Sequence, residues 1–180
     1  DNRRMHARSV RPTSQEASEY YFRYIDLVPA GDICSVLEVQ HEEALAFFRS
    51  IPEDVAAGRY EPGKWSMKAV LGHLNDCERL FVFRAFWFAR GFDTPLPSFE
   101  PAVADDHAAA DARSWRSHID EFDRLRASTL DFFANLPEDA WSRQGIASEM
   151  PFSVRALAFL CAGHVIHHSR ILKERYLQQR

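Results

Sequence analysis

The chain has 180 residues, 46% of them hydrophobic and 27% charged, so it can bury one core and is too short to favour two domains. A formal net charge of −4 leaves no basic field for nucleic acid, and no apolar run approaches the roughly 20 residues that span a bilayer. The polar leader also lacks the apolar centre of a secretory signal, and we therefore expect a soluble, cytoplasmic protein that binds neither nucleic acid nor membrane.

Residues 1–30 are predicted to be an N-terminal extension that packs on a helical domain formed by residues 31–180. Within the extension, the aromatic segment at residues 20–28 is interpreted as a short or extended piece held against the domain, and Pro29 and Gly31 end it. We expect this segment to contribute packing and no chemistry.

The cysteines Cys34, Cys77 and Cys161 are odd in number, far apart and without a Cys-x-x-Cys pair. This pattern argues against a disulfide framework and against a zinc knuckle built from cysteines. We expect the three thiols to be reduced and mostly buried. Cys77 and Cys161 lie close in sequence to histidines, so either could line a pocket, although a buried cysteine usually acts as a small hydrophobe.

Four amphipathic stretches predict four long helices. Asp32 is a favourable N-cap for the first, and Ser66 caps the second, which Gly91 would stop. The third helix is predicted over residues 111–135, and the fourth begins near Ser153. The sequence therefore predicts an all-α protein, a four-helix bundle, the architecture in which metal sites are commonly built from facing helices.

The connections between these helices show no sustained period. Residues 92–110 contain three prolines and are predicted to form a long loop, and loops of that length often border a site. Residues 137–151 are predicted to be a second turn region. No run of residues has a convincing strand pattern.

The fourth stretch carries two histidines on its apolar side. At the helical period, one face presents Leu157, Cys161, His164, His168 and Ile171. An imidazole buried without a partner loses the hydrogen bonds that water would supply, whereas a divalent metal satisfies one nitrogen of each ring. The His-x3-His pair on this face therefore indicates a metal site.

A third histidine, His73, lies on the apolar side of the second stretch. We predict that His73, His164 and His168 bind one divalent metal ion, zinc or nickel, and leave a fourth position for water or a substrate thiolate. In the alternative interpretation, His73 is a hydrogen-bonded core residue and the other two are ordinary helix residues. The apolar register of all three favours the metal.

Other residues near these histidines are assigned simpler roles. Val165 stands where a His-Glu-x-x-His metalloprotease has its glutamate, which makes that class a poor match. Asp76 is interpreted as a surface carboxylate paired with Arg79, and Glu78 is interpreted in the same way. His167 points off the apolar stripe, so we expect it to support a ligand or to lie exposed. No catalytic residue is assigned.

Two motifs carry a family resemblance. The first runs from Gly63-Lys64-Trp65-Ser66 into Gly72-His73-Leu74-Asn75-Asp76-Cys77-Glu78-Arg79. The second is Ala162-Gly163-His164-Val165-Ile166-His167-His168. Through them, about residues 31–178 resemble the DinB-like family, also called the DinB/YfiT-like metalloenzymes. The resemblance implies a four-helix bundle, often a homodimer, with one divalent metal on His73, His164 and His168. It also implies relatives that are transferases and isomerases dependent on low-molecular-weight bacterial thiols, alongside stress-associated proteins. Val165-Ile166 departs from the commoner polar pair between the histidines.

Three functions are open at this point. The preferred one is a metal-dependent, thiol-dependent transferase or hydrolase that acts on a small electrophilic molecule, because three ligands leave an open position whereas structural zinc sites are usually closed by four. The alternative is a non-catalytic metal-binding or stress-response protein whose metal is structural or sensory. A third hypothesis, an interaction module with incidental histidines, predicts no bound metal.

Overall fold

The structure, a computed structural model, describes residues 7–178 and consists mainly of helices. In chain order the α-helices are α1 (Glu19–Ile25), α2 (Ile33–Arg49), α3 (Glu53–Ala56), α4 (Met67–Ala89), α5 (Pro101–Ala108), α6 (Trp115–Ala134) and α7 (Val154–Ile171). The smaller elements are the 3-10 turns Ala110–Ala112 and Glu138–Ser142, the strands β1 (Gln144–Ala147) and β2 (Met150–Ser153), and a π-helical end, Leu172–Leu177. Residues 1–6 of the predicted extension and 179–180 of the predicted domain lie outside the described residues.

The four long helices α2, α4, α6 and α7 form a bundle, as predicted. Helix α4 packs against α6 and α7, and α2 packs against the same two helices from the opposite side. The apolar faces predicted from the sequence meet in the centre, where Leu37, Leu74, Phe122 and Leu157 are buried. Among the described residues, no helix combines the length and the apolar composition needed to cross a bilayer.

The predicted helix starts are confirmed by their caps. The carboxylate of Asp32 accepts hydrogen bonds from the amides of Cys34 and Ser35, and the hydroxyls of Ser66 and Ser153 accept from the third residue of their helices. Gly91 has a φ of 82° after the end of α4, which a glycine adopts without strain.

Helix α6 begins later than predicted, at Trp115 instead of residue 111. Ala109 lies in the left-handed region, with a φ of 48°, and a 3-10 turn follows it. Ser114 then caps the helix by accepting a hydrogen bond from the amide of Ser117. The cap, and not the start of the amphipathic pattern, therefore determines where this helix begins.

The prediction of a long loop at residues 92–110 is wrong in its second half, whereas residues 92–100 do form a loop. This segment contains α5, with Pro101 at its first position. Proline suits that position because its missing N–H would have no partner within the helix and its φ is already helical. The prolines that indicated a loop are thus compatible with a short helix.

The prediction that the chain has no strand is also wrong. Strands β1 and β2 form an antiparallel hairpin in which Ala147 pairs with Met150, so Ser148 and Glu149 make a two-residue turn. Both turn residues have positive φ, 52° and 62°, as in a type I′ turn, which usually contains Asn or Gly. Neither residue type is present in the turn, and the sequence therefore gave no signal for the hairpin.

The aromatic segment at residues 20–28 forms a helix, α1, which packs across α7. The close approach is possible because Gly163 faces it: a Cβ at Gly163 would lie 2.2 Å from the carbonyl oxygen of Tyr24. Gly163 precedes His164, so the backbone of α1 passes directly over the start of the His-x3-His pair.

The interpretation of Glu78 as a surface carboxylate is wrong. Its side chain is 3% exposed and accepts two hydrogen bonds from Arg126, at 2.8 and 3.1 Å. Arg126 also donates to the side chain of Gln40 at 2.7 Å and to the carbonyl of Cys161 at 3.2 Å. One arginine on α6 thereby bonds to each of the other three long helices, and its charge is neutralised by the Glu78 carboxylate.

Candidate metal centre

The structure brings the three predicted histidines to one point between α4 and α7. His73 faces α7 from the second turn of α4, and His164 and His168 are one turn apart on α7. The Nε2 atom of His164 lies 3.3 Å from Nε2 of His73 and 3.1 Å from Nε2 of His168. The ring centroids are 4.5 to 5.1 Å apart, with the rings edge to face.

Burial keeps these imidazoles neutral. It lowers the pKa of His73 to about 4 and that of His168 to about 3, and it lowers the pKa of His164 well below its ordinary value. For His164 and His168, the neighbouring histidines lower the pKa further, because two adjacent imidazolium ions repel each other. At neutral pH each ring therefore retains a nitrogen lone pair, as metal binding requires.

Hydrogen bonding among the rings does not account for this arrangement. The Nε2 atom of His164 has two Nε2 neighbours within hydrogen-bond distance, yet a single ring nitrogen carries either one proton or one lone pair. Two nitrogens that bind one tetrahedral zinc ion are separated by ~3.3 Å, given Zn–N bonds of ~2.05 Å. The spacings of 3.1 and 3.3 Å to Nε2 of His164 are each compatible with a pair of imidazoles on one cation.

Cys77 is a further donor beside His73. One nitrogen from each of His73 and His164 and the Sγ atom of Cys77 all lie within 4.8 Å of one another, a possible metal site. Sγ is 3.6 Å from Nε2 and 3.8 Å from Nδ1 of His73, so it is nearly equidistant from the two ring nitrogens. An atom that shared a cation with Nε2 would lie in front of that lone pair and farther from Nδ1. Burial also raises the pKa of the Cys77 thiol to about 12.

Asp105 of α5 is a neighbour of the site that the sequence analysis missed. Its Oδ1 atom lies 3.8 Å from Nδ1 of His73, and its Oδ2 atom is buried without a hydrogen-bond partner among the described residues. Burial and, to a lesser extent, Asp76 and Asp106 raise the pKa of the Asp105 carboxyl to about 6. Since residues 92–110 were predicted to be a loop, nothing in the sequence placed this carboxylate beside His73.

The histidines open onto a pocket of about 300 Å³. Besides the three histidines, its walls come from α1, the segment before α4, α4 itself, the start of α5 and the segment before it, the β1–β2 turn and α7. The wall residues are Tyr20, Tyr21, Tyr24, Trp65, Cys77, Leu80, Phe81, Arg84, Phe99, Pro101, Ser148 and His167. The ring of Tyr24 lies edge-on to His164 at 5.3 Å, and Trp65 lies 5.0 Å from His73. Helix α1 thus packs on α7, as predicted, and also contributes a wall of the pocket.

The remaining predictions near the site have mixed outcomes. His167 is half-buried, with its ring 5.1 Å from that of Tyr24, and it lines the pocket. Asp76 pairs with Arg79 at 3.2 Å, as predicted. Cys161 is buried but does not line the pocket, and all three cysteines are free thiols.

The fold and the clustered histidines place this protein among helical bundles with a candidate metal site between two helices. The sequence profile of the DinB superfamily matches residues 37–172, a span that contains all three histidines. The chain belongs to the DinB superfamily, which confirms the resemblance predicted from the two motifs.

The fold is similar to that of YfiT from Bacillus subtilis, described as a probable metal-dependent hydrolase with an unusual four-helix bundle topology. The TM-score is 0.66 at 13% sequence identity, over 97% of this chain and 95% of YfiT. At that identity the similarity establishes the shared fold. No curated protein matches the chain in sequence.

Proposed function

We propose that His73, His164 and His168 bind one divalent cation, zinc or nickel, and that the protein is a metal-dependent transferase or hydrolase acting on a small electrophilic molecule. The observation that carries the proposal is the approach of three neutral imidazoles through their Nε2 atoms, at 3.1 and 3.3 Å, beside an open pocket. A divalent cation held there would act as a Lewis acid and lower the pKa of a thiol or a water molecule.

The protein's own residues supply the conditions for that chemistry. The apolar rings of Phe81 and Tyr24 shield the imidazoles from water, which keeps their lone pairs unprotonated. The Asp105 carboxylate, 3.8 Å from Nδ1 of His73, favours the tautomer that carries its proton on Nδ1 and leaves Nε2 free. These groups select the nitrogen that faces the other two rings.

A low-molecular-weight thiol is the co-substrate that we propose for the transferase. The pocket, at about 300 Å³, has room for a small molecule at the histidines. The family resemblance supports thiol transfer, and the description of YfiT supports hydrolysis, so the two reactions need separate assays.

A structural metal is the second candidate, and Cys77 is the observation that favours it. If the thiol of Cys77 lost its proton and joined the three histidines, four protein ligands would close the site. No position would then be left for a substrate. The nearly equal distances from Sγ to the two nitrogens of His73 argue for the three-histidine set.

Metal content separates these assignments. We expect one metal ion per chain in the wild type and in Cys77→Ser, and loss of the ion in His73→Ala, His164→Ala and His168→Ala, measured by inductively coupled plasma mass spectrometry on tag-free protein. His107→Ala is the matched control, because that histidine is exposed and bonds to a backbone carbonyl. Retention of the ion in the three histidine variants would contradict the ligand assignment, and its loss in Cys77→Ser would favour the closed site.

Turnover is measured separately on the metal-loaded protein. A panel of electrophiles is incubated with small thiols to follow thiol consumption, and a panel of esters and amides is incubated without thiols to follow hydrolysis. We expect turnover in one panel and its loss on chelation. Stoichiometric metal without turnover in either panel would favour the structural role. The homodimer and the cytoplasmic location stay predictions.

A further inference from the structure

The charge of the pocket lining contrasts with that of the whole chain. The sequence has 26 aspartates and glutamates, yet none of the described residues that line the pocket is one of them. Asp105 lies beside His73 but does not line the pocket. Apart from its histidines, Arg84 is the only basic side chain among the described residues that line the pocket. The pocket therefore has a net positive charge before any metal is bound.

Arg84 is buried at the end of the pocket away from the histidines, with 2% of its surface exposed. Its Nη2 atom donates to the hydroxyl of Ser148 at 2.8 Å and more weakly to the carbonyl of Pro97 at 3.4 Å. Its Nε atom has no hydrogen-bond partner among the described residues. A buried guanidinium with an unused donor is costly unless another group satisfies it.

No negative charge compensates Arg84 within the described residues. No aspartate or glutamate of that part of the chain forms an ion pair with it, in contrast to Arg126, which is paired with Glu78. The Tyr21 hydroxyl interacts with the guanidinium, but burial raises the pKa of this phenol, so it stays uncharged. The ring of Phe152 adds a cation–π contact at 5.6 Å, which is weaker than an ion pair.

Ser148 is held against Arg84 by the β1–β2 turn. Ser148 and Glu149 both have positive φ, the backbone conformation of the type I′ turn that joins the two strands. The turn thereby places the Ser148 hydroxyl 2.8 Å from Nη2 of Arg84.

We infer that Arg84, Tyr21 and Ser148 form a binding site for the carboxylate group of a small substrate whose reacting group reaches the three histidines. The unpaired guanidinium supplies the countercharge and a planar set of donors, to which a carboxylate is matched. One guanidinium and two neutral hydroxyls suit a monoanion better than a phosphate dianion. The substrate class rests on the proposed function, whereas the carboxylate site itself does not require the metal.

The length of α4 between His73 and Arg84 is consistent with one small molecule that reaches both residues. Arg84 lies about three helical turns after His73 on α4, ~16 Å along the axis. Long side chains on a helix lean toward its N-terminus, so the guanidinium covers part of that distance in the direction of His73. Tyr20, Phe81 and Phe99 line the space between, where a short apolar or aromatic body would fit.

The test is the preference of the pocket for acids over their neutral isosteres. Benzoate, phenylacetate and 3-phenylpropionate are titrated against the protein by isothermal calorimetry, each alongside its amide, and phenyl phosphate serves as the dianion. We expect at least one acid to bind about tenfold or more tightly than its amide, the range of a charge-assisted hydrogen bond. We expect Arg84→Met to abolish that preference, while Arg90→Met, an exposed arginine farther along the same chain segment, leaves it unchanged.

Two further variants keep the test decisive if Arg84→Met does not fold. Tyr21→Phe and Ser148→Gly each remove one hydroxyl, and glycine suits the positive φ at position 148. Each should weaken acid binding roughly threefold and leave amide binding unchanged. Any of four results would overturn the inference. Acids and amides could bind equally in every pair, or no acid could bind. The preference could survive in Arg84→Met, or phenyl phosphate could bind more tightly than any acid.

The same titrations distinguish this inference from the metal assignment. In His164→Ala the metal should be lost while the preference for acids over amides remains, because Arg84 does not bind the ion. In Arg84→Met the metal content should stay at the wild-type level while the preference disappears. Loss of the preference in His164→Ala, with the fold intact by circular dichroism, would overturn the separate carboxylate site.

Discussion

At the scale of single residues, burial is the factor that keeps His73 neutral, as the proposed metal binding requires. An imidazole in water is partly protonated near pH 6.5, and a protonated ring cannot donate a lone pair to a metal. Burial lowers the pKa of His73 to about 4, so the ring stays neutral through the physiological range. The same shift couples the pH to the stability of the metal-free protein.

We predict that His73 reduces the stability of the metal-free protein in acid. The unfolded chain binds a proton at His73 below about pH 6.5, whereas the folded chain does so only below about pH 4. Stability is therefore highest above pH 6.5 and falls as the pH drops toward 4, by about 3 kcal/mol from this residue, and then levels off. Urea titrations from pH 7.5 to 4 of metal-free wild type and His73→Leu should show the smaller loss in the variant.

Comparison with a variant is needed because another group acts in the opposite direction. Burial raises the pKa of Asp105 to about 6, so its contribution to stability increases as the pH falls toward the unfolded value of 3.8. His107→Ala is the control, since His107 is exposed. If the wild type and His73→Leu lost the same stability on acidification, the burial of a neutral His73 would be contradicted.

At the scale of the elements, Arg126 connects all four long helices. It lies on α6, pairs with Glu78 on α4, and donates to Gln40 on α2 and to a carbonyl on α7. Gln40 in turn donates to the carbonyl of Ala162, two residues before His164. A polar network of this kind restricts how the helices can slide, because each group has its partners only in one arrangement.

We predict that Arg126→Met destabilises the fold by about 3–5 kcal/mol, because Glu78 would be left as a buried, unpaired carboxylate. Chemical denaturation with urea measures the effect, and Arg124→Met, an exposed arginine on the same helix, is the control with an expected change within about 0.5 kcal/mol. The double variant Arg126→Met with Glu78→Leu should recover much of the loss. A single variant as stable as the wild type would show that the pair has no such role.

At the scale of the whole molecule, the predicted N-terminal extension contributes residues to the core and to the pocket. Ala17, Ile25 and Val28 are buried in the core that also contains residues of α4 and α7. Tyr20, Tyr21 and Tyr24 of α1 line the pocket, and Gly163 permits their close approach. The division at residue 31 therefore separates the proposed metal ligands from one wall of the pocket.

We predict that removal of residues 1–30 lowers the thermal midpoint but leaves one metal ion per chain, because His73, His164 and His168 lie on α4 and α7. The loss follows from the apolar surface of α4 and α7 that the buried side chains of the extension cover. Differential scanning calorimetry and metal analysis of the shortened chain measure the two effects. Tyr24→Ala in the full chain separates the loss of one pocket wall from the loss of the whole segment. A shortened chain that folds but binds no metal would contradict a bundle domain beginning at residue 31.

The local chemistry of the sequence determined the four long helices, their caps at Asp32, Ser66 and Ser153, and the apolar stripe that carries His73, His164 and His168. Helix periodicity and N-caps act over a few residues, so they can be predicted without knowledge of the neighbours. The family motifs lie within those same helices. The hairpin and α5 escaped prediction because short elements depend on the segments that they pack against.

Only the tertiary structure decided which groups meet. Glu78 looks like a surface residue until Arg126, 48 positions later, pairs with it, and Asp105 becomes a neighbour of His73 only when α5 folds over α4. The unpaired state of Arg84 and the tyrosine wall from α1 are likewise properties of the assembled pocket. Burial and electrostatic partners are contributed by residues distant in sequence, and for that reason the sequence determined the candidate ligands while the fold determined their surroundings.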